Sequence, residues 1–194
     1  MSDVYVPALT GRYVILSPIG QGGMGSVFRA SDRLTANTVA LKSLVFDPEV
    51  VAELSSVGHD LRLTLAREFA LLATLRHPNI ISVLDYGFDR NGQPFYTMEF
   101  LAEAQNVVAY AQGRSAAEQE ALFLQMIQAL SYLHRRGVLH RDLKPDNVLV
   151  SGDVLKLLDF GLAIAREQST EAVSYTHLRA HETKANLVCR LLLE

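Results

Sequence analysis

The feature that most constrains this chain is Gly20-Gln21-Gly22-Gly23-Met24-Gly25, set between two runs rich in β-branched and aromatic residues, Tyr13 to Ile19 and Ser26 to Ala30. It reads as strand, glycine-rich turn, strand. Glycines supply the positive φ angles of a tight turn and let backbone N–H groups approach phosphate oxygens closely. The same G-x-G-x-x-G spacing opens dinucleotide-binding folds, and Asp47 stands near where those folds place a ribose-binding acid. Such folds need a helix straight after the last glycine, and Ser26-Val27-Phe28-Arg29 does not read as one. The turn therefore belongs to a hairpin. Taken alone, it is equally consistent with a hairpin that binds nothing.

Thr38-Val39-Ala40-Leu41-Lys42 follows as a third strand, with Val39 and Leu41 on one face and Ala40 and Lys42 on the other. Asp60 to Arg76 reads as a helix striped by Leu61, Leu65, Leu72 and Leu75. At about 100° per residue, Glu68 falls inside that stripe. A buried carboxylate without a partner costs several kcal/mol or takes up a proton, so Glu68 is expected to have a cationic partner. His77-Pro78-Asn79 ends the helix, with His77 as a structural cap. Ile80 to Phe88 and Gln93 to Phe100 read as two more strands around an Asp89-Arg90-Asn91-Gly92 turn. Ser115-Ala116-Ala117-Glu118 is a capping box opening a helix that carries Leu122, Met126, Ala129, Leu130 and Leu133 to about Arg136, where Gly137 stops it.

The 194 residues are 49% apolar with a net charge of −3, enough for one core or two small lobes. There is no basic excess to suggest nucleic acid, and no apolar run near the roughly 20 residues that span a bilayer. The start lacks a signal-peptide pattern, and the single Cys189 cannot form an intrachain disulfide, so a cytoplasmic location is expected.

His140-Arg141-Asp142-Leu143-Lys144-Pro145-Asp146-Asn147 fits neither a helical nor a strand period, and reads as a loop that presents side chains. A short hairpin follows, Val148 to Val150 and Val154 to Leu158 around Ser151-Gly152-Asp153, then Asp159-Phe160-Gly161. His-Arg-Asp, four residues, Asn, a hairpin and Asp-Phe-Gly resemble the catalytic loop and metal-binding segment of eukaryotic-type protein kinases. Lys144-Pro145 resembles the serine/threonine branch, and Gly-Gln-Gly-Gly-Met-Gly its bacterial members.

That resemblance implies an α+β, protein-kinase-like two-lobe fold. A five-stranded antiparallel sheet with one helix forms the N-lobe (residues 11–101, after an extension at 1–10). An incomplete, mainly helical C-lobe occupies 102–171, with ATP between the lobes. It implies phosphoryl transfer from ATP, with Mg²⁺, to protein Ser/Thr hydroxyls. Asp142 would accept the hydroxyl proton and Lys144 would neutralise the γ-phosphate. Lys42, held by Glu68, would pair the α- and β-phosphates, and Asn147 and Asp159 would ligate the metal. Nucleotide contacts would come from Ile19, Gly20, Gln21, Gly22, Gly23, Met24, Gly25, Val27, Ala40, Lys42, the gatekeeper Met98, the hinge at Glu99 to Leu101, and Leu149. Arg141 would receive an activation-loop phosphate, and His140 and Phe160 would be packing residues of the regulatory spine. A kinase-domain dimer is open to the intact protein.

From about Ala172 the composition shifts. Ser174 to Thr183 resembles a translated transposon-type sequencing adapter, and Asn186 to Leu193 the flow-cell end of the same adapter. Residues 172–194 are therefore expected to be non-native and the chain to be a fragment, truncated after Asp159-Phe160-Gly161 and inactive alone. Two rival readings remain open, a pseudokinase or ATP-binding regulatory module and a small-molecule phosphotransferase of the aminoglycoside-kinase type.

Overall fold

The computed structural model describes residues 6–9, 11–22, 25–44 and 61–159, with the side chains at 61, 62, 64 and 68 outside that description. The chain divides into two compact units, residues 1–76 with 81–102, and residues 77–80 with 103–194. The first holds β1 (Tyr13–Gly22), β2 (Gly25–Asp32), β3 (Thr38–Leu44), α1 (Leu61–Leu72), β4 (Val83–Phe88) and β5 (Pro94–Glu99). Its strands make one antiparallel sheet in the order β1-β2-β3-β5-β4, the five-stranded sheet expected above.

The first hairpin runs further into the glycines than the sequence suggested. Gly20, Gln21 and Gly22 pair with Val27, Ser26 and Gly25, so the ladder runs as far as the Gly22–Gly25 pair. Register shifts after Ile15 and Pro18 leave Leu16 and Ile19 as extra residues, and both are turned out, 52% exposed. Pro18, which has no N–H to donate, is tolerated because β1 is an edge strand.

β3 lies inside the sheet and is buried from Val39 to Leu44. Val39 and Leu41 join Tyr13, Phe28, Ala30 and Phe95 in one apolar cluster, with Tyr13 edge-on to Phe95 at 5.9 Å between ring centroids. Arg12 closes this face. Its guanidinium donates two parallel bonds to Asp32, both 3.0 Å, and a third to Asp85 of β4. The Tyr13 hydroxyl also donates to Asp85, at 3.0 Å. One side chain thus ties the start of edge strand β1 to the end of β2 and to the opposite edge strand. The Arg12 bonds hold the Asp32 carboxyl down at about 2, helped by the Leu34 N–H and Thr35 hydroxyl, while burial pushes the Tyr13 hydroxyl up to about 12.

α1 is shorter than the Asp60–Arg76 span expected. After Leu72 the backbone tightens: Thr74 and Leu75 donate to Leu71 and Leu72, and the Thr74 hydroxyl also bonds the Leu71 carbonyl at 2.7 Å. Its buried stripe is Leu65, Phe69 and Leu72, with Leu75 buried in the turn beyond. Phe69 lies flat on Tyr86 (5.3 Å) and tilted on Tyr96 (5.2 Å), which seats α1 on the sheet face opposite the Tyr13 cluster.

Two boundaries differ from those expected. Residues 6–9 belong to the first unit, because Ala8 bonds Asp89 and Arg90 and Leu9 packs on the apolar cluster. Residues 77–80 belong to the second, so the fourth strand starts at Val83. Ile80 bridges Leu157, and Asn79 bonds Gln125 and Leu155 through its amide and Leu157 through its carbonyl. The His77 ring accepts from the Asn79 N–H and packs on Tyr132, a structural place.

The second unit contains β6 (Gln105–Asn106), α2 (Val107–Ala111), α3 (Ala116–Arg135), a 3₁₀ turn at Pro145–Asn147, β7 (Val148–Ser151) and β8 (Val154–Leu157), with its strands in the order β6-β7-β8. The capping box at Ser115 and Glu118 is formed. α3 ends in a Schellman motif: Gly137, at φ +71°, donates to His134, and buried Val138 donates to buried Leu133. Among the described residues, no helix is long and apolar enough to cross a membrane.

Candidate active site

The expected site residues fall into two groups, one in each unit. In the first, strand register decides which side chains share a face, since directly paired residues point the same way. Gly20 pairs Val27, Val27 pairs Lys42 and Lys42 pairs Tyr96. One step along, Arg29 pairs Ala40 and Ala40 pairs Met98. Gly20, Val27, Ala40, Lys42 and Met98 are therefore brought onto a single face. Lys42 is buried, 7% exposed. A cation carried that deep in a sheet interior needs anionic company. The Glu68 backbone lies on α1, which packs on this same face, while its side chain, with Gly23 and Met24, lies outside the described residues.

Glu99 ends β5 and fastens it: its N–H donates to the Ser82 carbonyl at 3.0 Å, and its carboxylate accepts from the Ser82 N–H at 2.9 Å. Leu101 follows, half-buried. Ile19 and Gln21 are exposed on β1. At Gly20 an added Cβ would meet nothing within 4 Å. At Gly25, with φ +132°, it would sit 1.9 Å from the Ser43 carbonyl oxygen, so this glycine is demanded by the β2–β3 contact itself.

In the second unit the loop at 140–147 folds around Asp142. The Asp142 N–H bonds the His140 carbonyl at 2.8 Å across Arg141, a tight three-residue turn that holds Arg141 at φ +60°. Lys144 Nζ lies 2.8 Å from Asp142 Oδ2, and Asn147 Nδ2 donates to the same oxygen at 3.0 Å and to the Asp142 carbonyl at 2.8 Å. Those bonds orient the buried amide and turn its oxygen away from Asp142. The Asn147 carbonyl accepts from Leu158 at 2.9 Å, which brings Asp159 beside the loop. Asp159 sits at φ +56°. Two non-glycine residues in the left-handed region flank this group, a strain that persists only where surroundings impose it. His140 is buried beneath: desolvation lowers its pKa, against opposing pulls from the Leu158 backbone and the Asp142 and Asp159 charges. Leu149 is half-buried on β7, and Phe160 and Gly161 lie outside the described residues.

Among the described residues, no group of three or more His, Cys, Asp or Glu could hold a metal ion. Asn147 and Asp159 offer a smaller set of hard oxygens. That suits Mg²⁺, which takes one or two protein carboxylate or carbonyl ligands and fills its shell with water and phosphate. Sequence reading missed the rings of Phe69, Tyr86 and Tyr96. Tyr96 was available to it, two residues before Met98 and so on the same strand face.

The first unit thus carries a buried strand lysine on one face with a glycine hairpin, and the second a loop that holds Asp142, Lys144 and Asn147 together. The sequence profile of the protein kinase domain family matches residues 13–182, and the chain belongs to that family. It is 36% identical over 176 residues to mitogen-activated protein kinase HOG1B of Wallemia ichthyophaga, covering 90% of this chain and 46% of that one. It is 35% identical to mitogen-activated protein kinase HOG1 of Cryphonectria parasitica, with 90% and 47% covered. With serine/threonine-protein kinase pkn3 of Myxococcus xanthus it shares 32% over 200 residues, 97% of this chain and 33% of that one. The chain thus spans less than half the length of these relatives.

Proposed function

We propose that the intact protein is a serine/threonine protein kinase moving the γ-phosphoryl group of ATP to protein Ser or Thr hydroxyls. The observation that carries this reading is the Asp142–Lys144–Asn147 contact set, with Asn147 backbone-bonded next to Asp159. Phosphoryl transfer asks a protein mainly for positioning and for compensation of phosphate charge. Asp142 accepts the proton of the attacking hydroxyl. Lys144, 49% exposed at the side chain, is free to swing from Asp142 toward a γ-phosphate. Asn147 and Asp159 hold Mg²⁺, which when bound offsets phosphate charge.

In the first unit, Lys42 pairs the α- and β-phosphates, oriented by Glu68. Backbone N–H groups from Gly20 to Gly25 cradle the phosphates, and Ile19, Val27, Ala40 and Met98 give the base apolar walls. The backbone of Glu99 and Leu101 receives the base edge. Protein substrates, a kinase-domain dimer and a cytoplasmic site of action belong to this same reading. So does the non-native origin of residues 172–194, which rests on their likeness to an adapter. Finding that tail encoded in unamplified genomic DNA would sink it.

The test of substrate class uses labelled ATP and the domain completed from its genomic locus, with casein and with aminoglycosides as acceptors. Label on protein Ser/Thr is expected. Label on aminoglycosides alone would overturn the reading in favour of a small-molecule phosphotransferase, and no transfer despite ATP binding would favour a pseudokinase.

A further inference from the structure

Arg29 is an exposed arginine on the sheet face that carries Val27, Ala40, Lys42 and Met98, a place where an apolar or small residue would suffice for packing. Its guanidinium carbon lies 5.2 Å from the centre of the Phe100 ring. β3 stands between β2 and β5, so the two backbones are about 10 Å apart and the arginine stem must cross β3. It crosses on the Ala40 side of the sheet, where Ala40, its register partner, offers only a methyl group. Phe100 follows Glu99, whose partner Val39 points to the other face, so Phe100 and Met98 share the face of Arg29. Phe100 is the middle residue of the Glu99–Leu101 segment, and it is gripped from β2 by a cation on its ring.

We infer that Arg29 is a positioning residue for the nucleotide base: stacked on Phe100, it holds the Phe100–Leu101 segment to the sheet and forms the outer wall of the base slot, on the side away from the glycine turn. This rests on the proposed nucleotide site. It differs from a phosphate contact, because Val27 separates Arg29 from the glycines on that face.

The experiment measures ATP and inorganic tripolyphosphate affinity of the full 194-residue chain by calorimetry, for the parent and for Arg29→Ala, Arg29→Lys, Phe100→Leu and the Arg29→Ala/Phe100→Leu double variant, with urea midpoints alongside. Arg29→Ala should weaken ATP binding by about 2- to 5-fold, the worth of an exposed cation–π contact, and leave tripolyphosphate binding unchanged. Arg29→Lys should recover at least half of the loss, and the double variant should be no weaker than the weaker single one. Equal loss for both ligands, or none for either, would overturn the inference while leaving the nucleotide site standing. If neither the parent nor Lys42→Met binds ATP or tripolyphosphate, the nucleotide reading has failed and the inference with it.

Discussion

Gly20 and Gly25 occupy one motif for different physical reasons. An alanine Cβ at Gly25 would lie 1.9 Å from a backbone oxygen of β3, at a φ of +132°. Backbone cannot yield as a side-chain tip can, so Gly25→Ala should destabilise the first unit by about 3 kcal/mol or more. Gly20→Ala, with open space around it, should leave stability within about 0.5 kcal/mol and weaken only nucleotide binding. Urea unfolding of the two variants separates them, and equal destabilisation would contradict this division of labour. The spacing of the glycines was plain in the sequence. Which of them the fold itself requires was not, because the answer lies in Ser43, on a different strand.

At the scale of elements, the Arg12 clasp joins three strands through two carboxylates. Asp32 is held at about 2 in the folded chain, against an ordinary value of 3.8. A depressed carboxyl stabilises the fold fully above its ordinary value and loses that contribution as pH falls toward the folded value. The window is therefore from about pH 4 down to about pH 2. With Arg12 38% exposed at its side chain, screening leaves about 1–2 kcal/mol. Stability profiles of the parent and Arg12→Ala should converge across that window, and curves that stay parallel would refute the clasp.

Helices and strands with strong local signals were legible: the capping box at Ser115, the stop at Gly137, and the alternation of β3. The end of α1 and the start of β4 were not. The leucine stripe continues through Leu75, but Thr74 and the tightened backbone end the helix earlier, and Asn79 and Ile80 are claimed by Leu155 and Leu157, far along the chain. The Arg12–Asp85 contact is likewise invisible locally, because it joins opposite edges of a sheet whose order emerges only on folding.

For the whole molecule, the candidate site was legible as residue types, since phosphoryl transfer calls for a base, cations and hard oxygens, and as an order and spacing that resemble a protein kinase. The mutual bonding of Asp142, Lys144 and Asn147, and the strain at Arg141 and Asp159, had to be seen in three dimensions. The central claim is that Asp142 acts on the attacking hydroxyl and not on ATP binding. Its most direct measurement is the single-turnover rate of γ-phosphoryl transfer to protein by the completed kinase domain and its Asp142→Asn variant, with ATP affinity measured on both. The rate should fall by about 10²- to 10⁴-fold, the range for loss of a general base, at an ATP affinity unchanged within about 2-fold. An unchanged rate, or a loss wholly accounted for by weaker ATP binding, would contradict it.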